Sequence, residues 1–189
     1  STGYIVACQN TAEISNLKEN SNDEEFAGGI VAILETATIE NSKNTGNVIG
    51  STNIGGIAGE SKGTITQCRN DGQVSKLAGV ICKTVNLGGL VGKNGEAARL
   101  SNSKNYGNVN SETDTLVNLG GICGILYNNS IVELCENNGA ISGSGKEIIP
   151  NEDTNTNCAS CTSNNGGSAS TDDFGQLNIG IIYGKYQEI

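Results

Sequence analysis

Residues 65–74, ITQCRNDGQV, contain the pattern that decides the fold of this chain. An apolar residue is followed, at fixed distances, by Cys or Ser, by Asn, by Gly or Ala, and by Val or Ile. In this copy the positions are Ile65, Cys68, Asn70, Gly72 and Val74. The last four are spaced two residues apart, and the side chains of a strand alternate between its two faces with that period. We therefore predict that these four side chains point into one core.

The same pattern occurs in five copies, which marks the chain as repetitive. The asparagines of the five copies are Asn10, Asn44, Asn70, Asn105 and Asn137. Successive asparagines are 34, 26, 35 and 32 residues apart. Repetition at such a period is typical of solenoids, in which each copy is one coil. The sequence thus predicts an all-β fold, a parallel β-solenoid (β-helix) of about five turns with roughly 26–35 residues per turn.

Stacked coils would turn these motif positions into ladders. Coils about 4.8 Å apart place like residues above like, so inward asparagines would bond one another. That pairing avoids a penalty of about 1–3 kcal/mol for each buried unpaired polar group. The glycine position of the motif is predicted to mark a tight bend or a positive φ. Its members are Gly46, Gly72, Gly107 and Gly139.

A second motif, apolar-Gly-Gly-apolar-x-Gly, alternates with the first. It occurs at 54–59, 87–92 and 119–124, and looser copies lie at 27–32 and 179–184. We predict that it forms a second, closely packed corner or strand of each coil. Its paired glycines are Gly55, Gly56, Gly88, Gly89, Gly120 and Gly121.

The two motifs together resemble the GLUG repeats of bacterial surface adhesins and of proteins associated with immunoglobulin A-cleaving proteases. The residues that carry the resemblance are LGGLVG at 87–92 and CRNDGQV at 68–74, and it covers roughly 5–141 and 179–184. It implies a secreted or cell-surface repeat module. It carries over no catalytic residue.

The expected organisation is a single domain over residues 1–189. Repeat turns occupy about 5–142, a polar loop insertion occupies 143–175, and a terminal half-turn occupies 176–189. The insertion contains the pair Cys158 and Cys161, for which a local disulfide is expected and free thiols are the alternative. Zinc is not expected there, because it needs about four ligands and the chain has no histidine.

The other cysteines are interpreted as core residues. Cys8, Cys68 and Cys135 alternate with serines at one motif position, so they would lie about two coils, or roughly 9–10 Å, apart. A disulfide needs Cα atoms within about 7 Å. We predict small buried side chains here and at Cys123, whereas Cys82 is unassigned.

Composition excludes several classes of function. The net charge of −9, with 11 basic residues, argues against nucleic-acid binding, which requires clustered cations. No apolar run approaches the roughly 18 residues of a membrane helix, so membrane insertion is not expected. The absence of histidine from the sequence argues against general acid–base catalysis at neutral pH. We therefore expect no enzyme, no cofactor and no catalytic or metal site.

One outward row of the predicted coils carries three cations, Lys43, Arg69 and Lys104. They immediately precede three of the ladder asparagines, so they would lie on adjacent coils. They are interpreted either as a solvated edge that discourages mispairing or as a contact for an acidic partner.

The arrangement of the motifs predicts a structural or adhesive role. The chain starts with the asparagine motif and ends with a Gly-Gly-like motif, so its two ends are complementary half-turns. We expect an extracellular or cell-surface protein that stacks head to tail into a filament. The alternatives are a monomeric module of a larger adhesin that binds a host or cell-surface ligand, and a polysaccharide-acting β-helix enzyme.

Overall fold

The computed structural model of the protein describes residues 3–16, 24–80, 82, 84–112, 116–127, 129–150, 158–159, 162–163, 167–180 and 183–187. Within these ranges the regular structure consists of β-strands, without a helix. In this part of the chain there is accordingly no helix long and apolar enough to cross a membrane.

Four successive coils each contain five short strands. The first coil has β1 (Tyr4–Val6), β2 (Gln9–Asn10), β3 (Ile14–Ser15), β4 (Phe26–Gly28) and β5 (Val31–Leu34). The second has β6 (Thr38–Glu40), β7 (Lys43–Asn44), β8 (Val48–Gly50), β9 (Asn53–Gly55) and β10 (Ala58–Ser61). The third has β11 (Thr64–Thr66), β12 (Arg69–Asn70), β13 (Val74–Lys76), β14 (Thr84–Gly88) and β15 (Val91–Asn94). The fourth has β16 (Arg99–Ser101), β17 (Lys104–Asn105), β18 (Val109–Glu112), β19 (Leu116–Gly120) and β20 (Cys123–Tyr127).

The remaining strands continue the same ladders. They are β21 (Ile131–Glu133), β22 (Glu136–Asn137), β23 (Ile141–Pro150), β24 (Cys158–Ala159), β25 (Thr162–Ser163), β26 (Gly167–Gly180) and β27 (Tyr183–Gln187). Strands at equivalent positions of successive coils pair in parallel. The sheets run β1-β6-β11-β16-β21-β24, β2-β7-β12-β17-β22-β25, β5-β10-β15-β20-β27 and β3-β8-β13-β18-β23-β26-β19-β14-β9-β4. The predicted parallel β-solenoid is confirmed.

Described strands lie within residues 143–175, the range assigned from the sequence to a polar loop insertion. β24 and β25 lie below β21 and β22, with Cys158 opposite Val132 and Ser163 opposite Asn137. This segment keeps the spacing of the first motif but has Ser163 in place of asparagine and Gly167 in place of Val or Ile. Parallel pairing uses backbone groups, so it persists where the side-chain pattern is lost.

Two apolar clusters fill the interior on either side of the asparagine position. One contains Ile39, Ile65 and Leu100, which precede the asparagines of their coils. The other contains the valines that follow, such as Val74 and Val109. All of these side chains are fully buried. Each coil therefore places an apolar, a polar and a second apolar group in sequence across one continuous core.

Candidate functional site

The five motif asparagines form a continuous amide ladder. The Nδ2 group of each of the first four donates to the Oδ1 atom of the asparagine in the next coil. The distances are 2.8 Å for Asn10 to Asn44, 2.8 Å for Asn44 to Asn70, 2.9 Å for Asn70 to Asn105 and 2.8 Å for Asn105 to Asn137. The last four side chains are 0% exposed. The arrangement expected from the sequence is present, and it satisfies a column of buried amides.

Each ladder asparagine also bonds its own coil. The Nδ2 group of Asn70 donates to the carbonyl oxygen of Gly72 at 2.8 Å, and the N–H of Gly72 donates back to Oδ1 at 3.2 Å. The same Nδ2 contact occurs from Asn44 to Gly46 and from Asn105 to Gly107. Both amide protons are thus used, which fixes the orientation of the amide and closes a turn after the strand.

The glycines of the first motif are required by close approach rather than by a positive φ. A Cβ on Gly72 would overlap the carbonyl oxygen of Gly46, and one on Gly107 would overlap that of Gly72. Of the two alternatives predicted for this column, the bend is present at all four glycines, whereas the positive φ is not: among the described glycines only Gly79 has one, at 77°. Five of the six described non-glycine residues with a positive φ instead precede the Cys/Ser position. They are Ala7, Asn41, Gln67, Asn102 and Leu134, with φ between 49° and 54°.

The two motifs meet inside the coil. A Cβ on Gly56 would overlap the amide carbon of Asn70, and one on Gly89 would overlap that of Asn105. The second glycine of the pair therefore lies against the asparagine ladder. The first glycine, as in Gly55, faces a nearby backbone carbonyl instead. Gly88 and Gly120 are paired in register on β14 and β19.

A second amide ladder was not predicted. Asn86 donates to Asn53 at 2.7 Å and Asn118 donates to Asn86 at 2.6 Å, and all three are buried. Donation here runs toward the preceding coil, opposite to the first ladder. The signal in the sequence was an asparagine directly before each apolar-Gly-Gly at 53, 86 and 118.

The cysteine and serine column is also a hydrogen-bonded ladder. The N–H of Cys68 donates to Oγ of Ser103 at 3.0 Å, and the thiol of Cys68 donates to the carbonyl of Thr66 at 3.2 Å. Burial raises the pKa of Cys68 and of Cys135 to about 11, and it raises the pKa of Cys123 well above its usual value. None of these three thiols is in a disulfide.

For the remaining cysteines, burial is either not predicted or not confirmed. Cys8 is exposed rather than buried, because it lies on the first coil and no described strand covers it. The disulfide suggested for Cys158 and Cys161 stays a prediction, since Cys161 lies outside the described residues. Cys82, unassigned from the sequence, is 3% exposed and lies in the second apolar cluster.

The outward cations are neutralised within the chain. Asp71 lies 2.9 Å from Nζ of Lys43 and 2.6 Å from Nε of Arg69, and Lys104 lies 2.8 Å from Glu136. Partial burial alone would raise the pKa of Asp71, but the hydrogen bonds from Arg69 and Lys43 hold it below its usual value. The three cations are adjacent, as their register predicts, but each already has a carboxylate partner.

A groove of about 450 Å³ lies on the outer face of the sheet that contains β5, β10, β15 and β20. It is lined mainly by charged side chains and one ring: Glu24, Glu60, Lys62, Lys93, Glu96 and Tyr127. Nζ of Lys93 lies 3.0 Å from Glu24 and 3.5 Å from Glu60. Burial alone would lower the pKa of Lys93, but Glu24 and Glu60 raise it above its usual value, so the ammonium stays charged.

Among the described residues there is no group of three or more His, Cys, Asp or Glu side chains that could hold a metal ion. No protein-family model, no curated protein and no solved structure matches the chain. The resemblance to GLUG repeats stays a prediction.

Proposed function

We propose that this protein is a non-catalytic structural and adhesive β-solenoid of the cell exterior, and that its copies stack head to tail into a filament. The observation that carries the proposal is the identical hydrogen bonding of each coil to the coil before it. In a solenoid whose coils repeat in this way, the edge of one coil is complementary to the edge of another.

The backbone donors of the first coil support this proposal. The N–H groups of Lys43 and Arg69 donate to carbonyls of the preceding coil, and so do those of Thr45 and Asp71. Gln9 and Thr11 hold the corresponding positions in the first coil. Their N–H groups therefore point away from the second coil, toward an edge on which no described strand pairs. Such an edge is a template for another strand.

The exposed side chains of the first coil are consistent with a covered edge. Ile5 is only half-buried, whereas Ile39, its register partner in the second coil, is 0% exposed. A further coil laid on this edge would pair with these backbone groups and cover them. The resemblance to GLUG repeats supports a location at the cell surface.

The alternative is a monomeric module of a larger surface adhesin. It is favoured by the outward residues, which differ from coil to coil while the inward residues repeat. The outward position before the ladder asparagine, for example, is occupied by Gln9, Lys43, Arg69, Lys104 and Glu136. A repeated scaffold with a varied surface suits recognition of a ligand.

Electron microscopy and light scattering of the Gln9→Pro/Thr11→Pro double variant test the stacking. Proline removes the two outward N–H groups, and an edge strand tolerates it. We expect the unchanged protein to form fibres and the variant to remain monomeric with a similar melting temperature. The matched control, Gln9→Ala/Thr11→Ala, keeps both N–H groups and should still form fibres. A monomeric unchanged protein at millimolar concentration would contradict the filament and leave the adhesin module.

The enzymatic alternative is tested separately. The purified protein is incubated with acidic and neutral polysaccharides, and new reducing ends or unsaturated products are measured. We expect neither.

A further inference from the structure

The groove on the outer face has an unusual floor. Leu34, Ser61 and Leu126 occupy one column of this sheet and are buried in the interior, so the adjacent column faces outward. Glu60 and Lys93 are neighbours in that outward column. Although it faces outward, the Glu60 side chain is only 7% exposed. The groove therefore has a carboxylate at its base rather than on its rim.

This carboxylate is paired with two ammonium groups, both at long ion-pair distances. Its Oε1 atom lies 3.5 Å from Nζ of Lys93 and 3.9 Å from Nζ of Lys62. Lys93 makes shorter contacts with Glu24, at 3.0 and 3.2 Å, and Lys62 contacts Glu35 at 3.5 Å. Across the described residues Glu60 receives no hydrogen bond. Buried polar groups are nearly always hydrogen-bonded, so the floor of the groove has unused acceptor capacity.

We propose that this groove binds a neutral saccharide. Hydroxyl groups can donate to Glu60 and can accept from the two ammonium groups beside it. The ring of Tyr127, which lines the groove, supplies a surface on which the apolar face of a sugar ring can pack. A volume of about 450 Å³ lies within the range of small-ligand sites.

The mixed charge of the groove selects against ionic ligands. Glu24, Glu60 and Glu96 repel an anion, while Lys62 and Lys93 repel a cation. A neutral polyhydroxylated ligand meets donors and acceptors of both signs without such repulsion. The inference deepens the adhesive part of the proposed function and rests on it, but it does not require head-to-tail stacking.

Calorimetric titration with cellobiose, lactose and N,N′-diacetylchitobiose tests the proposal on the full chain. We expect saturable binding of at least one disaccharide. Glu60→Gln removes the charged acceptor and should weaken that binding about tenfold, as expected for a hydrogen bond to a charged group. The matched control is Glu40→Gln, a glutamate on β6 away from the groove, and it should leave the affinity unchanged.

Tyr127→Ala provides a second variant at the groove wall, in case Glu60→Gln disturbs folding. It should also weaken binding several-fold, and circular dichroism checks that either variant is folded. The proposal is overturned if none of the three sugars binds, if both groove variants bind as well as the unchanged chain, or if tetralysine binds more tightly than the sugars. If the protein binds sugar but forms no fibres, stacking is rejected and the saccharide site is retained. If it forms fibres but binds no sugar, the saccharide site is rejected and stacking is retained.

Discussion

The first and third coils contain the same motif in two different environments. Asn70 is 0% exposed, whereas Asn10 is only half-buried. Cys68 is 2% exposed, whereas Cys8 is exposed. The third coil has neighbours on both sides and the first coil pairs on one side only among the described strands. Burial in this protein therefore comes from the neighbouring coils, because a single coil cannot enclose its own inward face.

The comparison extends to the glycine column. Gly72 lies directly under the carbonyl of Gly46 and has no room for a Cβ, whereas the first coil has Ala12 at the same position. Ala12 is exposed and its carbonyl faces Gly46 below. Glycine is therefore required at this motif position from the second coil onward, where a preceding coil lies against it.

The largest expected effect is that of Gly72→Ala. Its Cβ would overlap backbone atoms, which cannot move without separating two coils, so we expect a loss of at least about 3 kcal/mol of unfolding free energy. Ala12→Gly is the matched change in the first coil and should alter stability by less than about 1 kcal/mol. Denaturant unfolding measures both. Equal effects would contradict the role given to close approach.

A smaller difference is expected between Asn70→Ala and Asn10→Ala. The former leaves one Nδ2 proton of Asn44 and the N–H of Gly72 without an acceptor in the core, which should lower the unfolding free energy by about 3 kcal/mol. The latter affects a half-buried amide with one ladder partner and should lower it by about 1 kcal/mol. Denaturant unfolding of the two variants is the measurement, and a larger loss for Asn10→Ala would reject the comparison.

The thiols of the first and third coils should respond differently to pH and to a thiol reagent. The pKa of Cys68 is raised from 9.0 to about 11 by burial, so above pH 9 the unfolded chain loses a proton that the folded chain keeps. Stability should therefore be complete below pH 9 and should fall as the pH rises toward 11. Cys68→Ser should reduce this slope. At pH 8, a maleimide should label Cys8 rapidly and Cys68 only on unfolding; simultaneous labelling would contradict the assignment.

The smallest effect is expected outside the core. Asp71→Asn removes the carboxylate shared by Lys43 and Arg69, but these exposed pairs contribute little, so the loss should stay below about 1 kcal/mol. Because the pKa of Asp71 is depressed, its contribution should be present above pH 3.8 and should disappear as the pH falls through the folded-state value. Thermal unfolding from pH 7 to pH 2 checks this, and a loss comparable to that of Asn70→Ala would be inconsistent with it.

Much of the fold was accessible from the sequence because the interior is built from repeated side chains. The spacing of Asn44, Asn70 and Asn105 predicted both the coils and the amide ladder. The left-handed corner was not predictable, because Ala7, Gln67 and Leu134 share no residue type and the conformation is imposed by stacking. The groove also could not be predicted from the spacing of residues along the chain. Its lining depends on which outward columns of side chains become neighbours in the fold.

The opposite donor directions of the two asparagine ladders have a consequence for length. Aligned amides in a single column would add their dipoles, as the peptide units of an α-helix do. Here the column that includes Asn70 points one way along the axis and the column that includes Asn86 points the other. Their dipoles oppose one another, so gene duplication that repeats both columns would build up less potential at the tips of the rod than repetition of one column alone.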